Sequence, residues 1–340
     1  MTGSEITCIE RIEIRKFWGK YDIRWELDPE VNILVGINGS GKSTILNLVH
    51  KAVTAKGFDS KVGTDLLSTL KVSFNNNNII ECFFIEDTLK NIAEGSSAHK
   101  DKYEQIVNHY NTVEFVRSSK SDISTEYLYI PIGSNFDFNK ECINANHISA
   151  FGTTVPHNKI AKKLPYNYLK SETDFEIYKL VNAFARYQLR LSKKLERLFW
   201  GSEHDIKAKR AEVYAKRDLF IRSINQLFEK TNKVMKLDRD RRIVFQHGDV
   251  LINPYQLSSG EKQILLVLMN VLLQSDRPSI FFMDGPETAI HLEWQGQLID
   301  TIRQLNEGAQ LIIATHSPVI MEKGWSDKVV EMDTIITPCH

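Results

Sequence analysis

Three glycines, a lysine and three hydroxyl residues fall together in the stretch Gly36-Ile37-Asn38-Gly39-Ser40-Gly41-Lys42-Ser43-Thr44, which fits the spacing GxxxxGK[ST] without a mismatch. Glycines let a loop curl until its backbone N–H groups face an anion, and the start of the following helix adds partial positive charge. A lysine at position 42 then reaches the β and γ oxygens of a nucleotide, and a serine at 43 ligates Mg²⁺. The segment lies between an apolar run, Val31–Val35, and a helical pattern over Thr44–Ala55. That is the context a phosphate cradle needs, so the expected ligand is ATP with Mg²⁺.

Three later segments carry further chemistry. Leu257-Ser258-Ser259-Gly260-Glu261-Lys262-Gln263 opens a helix with a hydroxyl and a glycine. Alone it reads first as an N-cap and only second as an anion site, since one chain needs only one cradle for its own nucleotide. Ile280-Phe281-Phe282-Met283-Asp284 is an apolar strand ending in a carboxylate, suited to holding Mg²⁺ directly or through water. Ile312-Ile313-Ala314-Thr315-His316-Ser317-Pro318 puts His316 at the end of another strand, where open parallel sheets bind ligands.

Positioning these groups falls to elements that can be read from pattern. Ile6–Trp18 alternates apolar and polar residues and predicts a strand, followed by a second at Tyr21–Leu27. Leu70–Phe74 and Ile79–Ile85 flank the polar tract Asn75–Asn78 and predict a hairpin. With Thr125–Ile130 these give a mainly antiparallel β-subdomain, and Lys102–Tyr110 carries a helical pattern. Ser171 and Asp174 have capping-box spacing, after which Ile177, Leu180, Phe184, Tyr187, Leu191 and Leu195 recur at helical spacing. Gly201-Ser202 breaks the run, and a second helix is expected from Asp205 to Met235. Each would be on the order of 40 Å long, forming an antiparallel hairpin. The remainder alternates between the two types: a small hairpin at Arg242–Phe245 and Val250–Ile252, a helix at Gly260–Gln274, a strand at Ser279–Met283, a helix at His291–Leu305 and a strand at Gln310–Ala314.

Composition sets the outer limits. The 340 residues balance 43 lysines and arginines against 43 acids, so overall charge does not make this a chain that coats nucleic acid. Charge is local instead. Between Lys179 and Arg222 lie Lys179, Arg186, Arg190, Lys193, Lys194, Arg197, Lys207, Lys209, Arg210, Lys216, Arg217 and Arg222, against five acids. Such a run is either a solvated face or a surface for DNA, RNA or an acidic partner. The four cysteines (Cys8, Cys82, Cys142, Cys339) form no CxxC pair, and no apolar run reaches membrane-spanning length. A reducing cytoplasm and no membrane are the expectation.

The ordered set of phosphate loop, Leu-Ser-Ser-Gly-Glu segment, Asp284 strand and Thr-His-Ser-Pro ending resembles the ABC-type ATPases of the RecF, chromosome-structuring and OLD-like group, over about residues 1–75 and 240–320. The Asn38-Gly39-Ser40 form of the loop and the Thr315-His316-Ser317-Pro318 ending resemble that group more than transporter subunits. In its closest form the chain is similar to small ATPases of bacterial anti-phage systems such as the Septu ATPase, which work beside a separate nuclease or toxin. The resemblance implies an α/β fold: a P-loop ABC-type ATPase head with an antiparallel β-subdomain and an inserted antiparallel helical hairpin. The expected segments are 1–150, with the P-loop and β-subdomain, 151–240, the hairpin, and 241–340, with the signature, Walker B strand and switch histidine. It further implies a homodimer, or a higher even-numbered oligomer, joined through composite ATP sites and regulating an effector protein. The alternative is a RecF-like repair or recombination ATPase that binds DNA.

On that resemblance, Lys42, Asp284, Glu287 and His316 are the expected catalytic groups. Gly36, Asn38, Gly39, Ser40, Gly41, Lys42, Ser43 and Thr44 would hold the nucleotide, with Ser258, Gly260 and Gln263 supplied to the opposite subunit, and Ser43 and Asp284 would hold the metal. One departure stands out. The group usually carries Asp-Glu-Pro, its glutamate activating water, whereas this chain reads Asp284-Gly285-Pro286-Glu287. Either hydrolysis is slow and ATP is mainly a clamp, or Glu287 or another group takes over; Glu287 also has a purely structural reading. General-base catalysis contributes roughly 10²–10⁴-fold, so an unreplaced glutamate would matter. The Q-loop glutamine has no obvious counterpart, and the strand-like Cys142–Phe151 offers only Asn144 and Asn146.

Overall fold

A computed structural model describes residues 6–54, 67–84, 114–117, 126–132, 144–149, 171–199, 206–322 and 324–339. The elements in chain order begin with β1 (Ile9–Phe17), β2 (Tyr21–Glu26), β3 (Val31–Val35), α1 (Lys42–Thr54), β4 (Thr69–Phe74) and β5 (Ile79–Phe84). Next come β6 (Glu114–Arg117), β7 (Glu126–Ile132), β8 (Ala145–Ser149), α2 (Glu172–Phe199) and α3 (Ile206–Leu227). The last third holds β9 (Lys233–Leu237), β10 (Ile243–His247), β11 (Val250–Ile252), α4 (Ser259–Leu273), β12 (Ser279–Asp284), α5 (Leu292–Leu305) and β13 (Ala309–Ala314). It closes with α6 (Pro318–Glu322), β14 (Val329–Glu331), α7 (Met332–Ile335) and β15 (Ile336–Pro338).

Two sheets organise the site. The five-stranded one has the order β14-β3-β13-β12-β8, and all its pairings are parallel. Its central strands β3, β13 and β12 are buried on both faces, which is why they read as mainly apolar runs rather than alternating ones. The alternation is still there, hidden in the core: Phe281, Met283, Leu311 and Ile313 face one apolar cluster, and Ile280, Phe282, Ile312 and Ala314 face the other. The first cluster is completed by α2, α3, α4 and α5. The second contains the buried side of α1 (Ile45, Leu46, Leu48, Val49, Ala52, Val53) and a seven-stranded sheet of order β15-β2-β1-β4-β5-β7-β6. That sheet is antiparallel throughout, as the β-subdomain reading anticipates. Helix α1 thus lies between the two sheets. Strands from both ends of the chain share each sheet, so folding must bring residues near 30 and near 310 together.

Local chemistry explains most boundaries. The Asn75–Asn78 turn closes with Asn77 at φ 62°, a left-handed conformation asparagine tolerates, and the Phe74 carbonyl accepts from Asn77 N–H at 3.0 Å. Ser171 and Asp174 form the reciprocal cap expected of them: Asp174 N–H donates to Ser171 Oγ at 3.1 Å, and Ser171 N–H to Asp174 Oδ2 at 3.0 Å. The second hairpin helix stops at Leu227, well short of Met235. There the chain turns through a 3-10 segment, Glu229–Thr231, with Asn232 left-handed at φ 52°, and Met235 becomes the buried residue of β9. Apolar periodicity carries the helix too far because a residue such as Met235 faces the core from either element. The Lys102–Tyr110 pattern and Cys142 lie outside the described residues; Cys8 and Cys82 are buried thiols.

The sheets are also stitched by one polar side chain. Gln310, fully buried on β13, donates from Nε2 to the carbonyls of Ile9 and Asp28, each at 2.8 Å, and accepts from Ile9 N–H at 2.8 Å. Ile9 sits at an irregularity in the β1–β4 pairing, so Gln310 supplies what the ladder does not. Gln310→Leu keeps the volume but leaves buried backbone groups unpaired, at about 1–3 kcal/mol for a single group. Urea unfolding should show that loss, and an unchanged midpoint would refute the tie.

Candidate functional site

The carboxyl ends of β3, β13 and β12 lie side by side, and the segments leaving these strands face a common cavity of about 310 Å³. It is lined by Asn38, Gly39, Gly41, Lys42, Ser43 and Thr44 after β3, by Asp284, Gly285, Glu287 and Thr288 at the end of β12, and by Ala314 and His316 at the end of β13. All four expected catalytic residues therefore line one cavity.

The loop Gly36–Gly41 is shaped by backbone demands. Gly36, Gly39 and Gly41 have φ of 155°, 81° and 99°. At Gly41 a Cβ would stand 2.7 Å from the ring of Phe17 and 3.0 Å from that of Trp18. At Gly36 it would stand 2.9 Å from Met332 Cβ. Lys42 is buried and curls back over the loop, its Nζ donating to the carbonyls of Gly36 (2.9 Å) and Ile37 (3.0 Å). Burial pushes its ammonium below the ordinary lysine range, while Asp284 and Glu287 pull it back up. Ser43 Oγ donates to Asp284 Oδ1 at 2.8 Å. Two hard oxygen donors, joined at the mouth of a glycine cradle, suit the donor chemistry of Mg²⁺.

Glu287 is held rather than loose. Its Oε1 accepts from the backbone N–H of His316 at 2.9 Å, and its Oε2 is buried with no hydrogen-bond partner among the described residues. Gln295 on α5 secures this corner, donating to the Ile290 carbonyl at 2.8 Å and accepting from Ser317 Oγ. Gly285 has φ 58° and donates its N–H to the Ala314 carbonyl at 2.9 Å. Glycine at 285 therefore answers a backbone requirement: a side chain here would sit in a left-handed conformation.

The Leu257–Gln263 segment stands apart from this cavity. Ser258 caps α4: its Oγ donates to Glu261 Oε2 at 2.9 Å and accepts from Glu261 N–H, while Ser258 N–H donates to Oε2 at 2.8 Å. Glu261 Oε1 meets Lys233 Nζ at 2.7 Å, and Lys262 Nζ meets Asp174 Oδ1 at 2.9 Å. Gly260 admits no side chain, because a Cβ would stand 2.4 Å from the Ala289 carbonyl oxygen. Ser258 is exposed, whereas Gln263 is buried with its Nε2 unpartnered among the described residues. None of Ser258, Gly260 and Gln263 lines the cavity of its own chain.

The asparagines considered for the Q-loop are misplaced for that task. β8 pairs with β12 so that Asn146 lies opposite Phe281, while Ser149 is the residue beside Asp284. Asn144 donates to Ser279, at the far end of the strand. Two cavity residues carry no motif in the sequence. Thr288 is next to Glu287, and Trp18 comes from the β1–β2 turn, 37% exposed at φ 53° and stacked on Phe17 with ring centroids 4.6 Å apart. The only hint of Trp18 is an aromatic placed directly before a turn glycine.

A family model described as "AAA domain, putative AbiEii toxin, Type IV TA system" matches residues 31–322. No curated protein matches the chain. Among solved structures, the chain is similar to the Smc head domain with an extended coiled coil bound to the C-terminal domain of ScpA, from Pyrococcus furiosus (15% identity, TM-score 0.48, 97% of this chain and 95% of that one). It is also similar to the SMC head domain from Thermotoga maritima (12%, 0.44, 93% and 91%) and to an SmcHead bound to the C-winged helix domain of ScpA (14%, 0.49, 97% of each). Among the described residues no helix is long and apolar enough to cross a membrane.

Burial alone would raise the Glu261 carboxyl, but the Lys233 ammonium and the Ser258 N–H and hydroxyl outweigh it and hold the group below the ordinary glutamate range. A carboxyl lowered in the folded state adds stability above its unfolded pKa and loses it as pH falls through the folded value. The urea midpoint should therefore decline as pH drops past about 5. Glu261→Gln should flatten part of that decline; an identical pH profile in the variant would show that the carboxylate contributes nothing.

Proposed function

The chain belongs to the AAA-domain family, as a P-loop ATPase, and from that premise we propose that two copies close around two Mg-ATP molecules and so control a partner effector. The observation that carries this reading is a division of labour: Lys42, Ser43, Asp284, Glu287 and His316 share one cavity, while exposed Ser258 at the start of α4 lies outside it. A hydroxyl and free N–H groups at a helix N-terminus suit a phosphate. Ser258 and Gly260 of one copy would complete the cavity of the other, with Gln263 acting from the interior of α4. The segments 1–150 and 241–340 would then be the two lobes of each head, and 151–240 the inserted hairpin.

When bound, Mg-ATP supplies the phosphoanhydride to be cleaved and the cation that neutralises it. The loop N–H groups from Asn38 to Thr44 would orient the phosphates, and Lys42 would exchange the Gly36 and Ile37 carbonyls for phosphate oxygens. Ser43 and Asp284 would hold the metal. Trp18 offers a ring face for the base. Glu287 Oε2 is an acceptor without a partner among the described residues, on a residue that lines this cavity, so it would hold the water and take its proton, while His316 marks the γ-phosphate end. Glu287 does this from two residues beyond the position of the usual glutamate, now Gly285, so turnover is slow and ATP serves mainly as a clamp.

We assign the effector role to a nuclease or toxin in anti-phage defence of the Septu kind, in the cytoplasm; the family description, which names a toxin–antitoxin system, supports it. A RecF-like repair role is the second reading, favoured by the basic hairpin. Light scattering should show dimers with Mg-ATP and monomers for Lys42→Ala and Ser258→Arg. Turnover should stay below about 1 s⁻¹, the low end for enzymes. Glu287→Gln should lower it roughly 100-fold or more while leaving ATP-dependent dimers intact. Rapid turnover untouched by Glu287→Gln, or monomers at every nucleotide state, would reject the scheme.

A further inference from the structure

The cations of the helical hairpin fall into two sets. Some are occupied: Lys179 pairs with Glu176, Arg217 pairs with Asp218 and covers the Tyr214 ring, and Lys216 donates to the Ser275 carbonyl. Others are not. Arg186, Lys193 and Arg197 on α2, and Lys207 and Arg210 on α3, are exposed and in no ion pair with another described residue; Arg190 between them meets the Tyr187 ring at 5.9 Å from its centroid.

On α2 the steps from Arg186 to Arg190, Lys193 and Arg197 are four, three and four residues, so the four cations share one face. They span about 16 Å of helix. The row is on the solvent side of α2, whose other side buries Phe184 and Leu191, while Tyr187 is buried at the border beside Arg190. A merely solvated face usually interleaves both signs, but between Arg186 and Arg197 the only carboxylate is Glu196, off the side of the row.

Helix electrostatics do not account for the pattern. The α2 macrodipole favours cations only in its last turn, where Arg197 is the sole basic residue. At the start of α3 it works the other way. No acid occupies that first turn, and Lys207 and Arg210 stand near the positive end of the helix, an arrangement unfavourable for folding. Cations held against the helix dipole, beside a row of four more, suit an external polyanion.

We propose that the helical hairpin, through Arg186, Arg190, Lys193 and Arg197 of α2 with Lys207 and Arg210 of α3, binds the phosphate backbone of double-stranded nucleic acid without reading its sequence. Duplex DNA presents about nine charges along 16 Å. Single strands are bound by stacking their bases on aromatic rings, and the aromatics nearest the row, Phe184 and Tyr187, are buried. A protein partner would look for apolar anchors at the centre of its interface, and the row has charges there. The surface is independent of the ATP reading, and nucleotide-free binding separates the two.

Fluorescence anisotropy of the full chain with a labelled 30-base-pair duplex, without nucleotide, from about 50 to 300 mM KCl tests this. Affinity should fall with salt with a log–log slope of about −4 or steeper. Two duplexes of unrelated sequence should bind equally. Glutamine at Arg186, Arg190, Lys193 and Arg197 keeps helix propensity; it should weaken binding at least 10-fold at the lowest salt and flatten the slope by roughly 3–4. Glutamine at Lys230 and Lys236, exposed lysines elsewhere, should change neither. Absence of duplex binding, an unaltered slope in the α2 variant, tighter capture of single strands, or binding to polyglutamate but not to duplex would each overturn the assignment.

Discussion

Parallel pairing of β3, β13 and β12 in one register is the constraint on which the site depends. Because these strands run the same way, their carboxyl ends coincide, and the residues that leave each strand emerge at the same edge. The glycine loop has no covalent reason to meet the Asp284–Glu287 corner or the Thr315-His316-Ser317 turn; Ser43 and Asp284 are 241 residues apart in the chain. Gly285 N–H bonded to the Ala314 carbonyl, and Ser43 bonded to Asp284, show the three exits fastened across that edge. Burial of both sheet faces makes the register expensive to slip, since moving one strand by a residue would turn each side chain to the opposite cluster.

The start of α4 is fixed by a different kind of interaction. Lys233, just beyond the end of α3, and Asp174, in the first turn of α2, grip its first turn through buried or half-buried ion pairs with Glu261 and Lys262. Both ends of the helical hairpin therefore terminate on the segment that carries Ser258. Removing one partner of such a pair leaves a charge without compensation in the interior, which makes these contacts strongly directional even where their net stabilisation is small.

Much of the architecture is legible in the sequence because its causes are local. The phosphate loop is a run of nine adjacent residues whose glycines announce left-handed turns, and the Ser171–Asp174 cap and Asn75–Asn78 turn are equally short-range. The departures share a cause. Periodicity extends the second hairpin helix to Met235 because a buried apolar residue fits a helix and a strand alike. Asn144 and Asn146 look available to the metal because the register of β8 against β12 is invisible in sequence. Trp18 carries no signal, since nothing local says that the β1–β2 turn folds over Gly41.

By itself the sequence determined which chemical groups exist and how each short segment bends: a cradle with one lysine, a carboxylate ending a strand, a capped helix with serine at its mouth, and an excess of cations between two helical runs. Those properties depend on neighbours in the chain. Only the tertiary structure decided which groups face one another. It set Glu287 in one cavity with Asp284, its Oε2 without a partner among the described residues, gave Gly285 a left-handed backbone, kept Ser258 out of the cavity of its own Lys42, and divided the hairpin cations into those already paired and a row in no ion pair with another described residue. Each of these depends on contacts between residues far apart in sequence, whose pairing is fixed by packing on both faces of one parallel sheet and by buried polar ties such as Gln310.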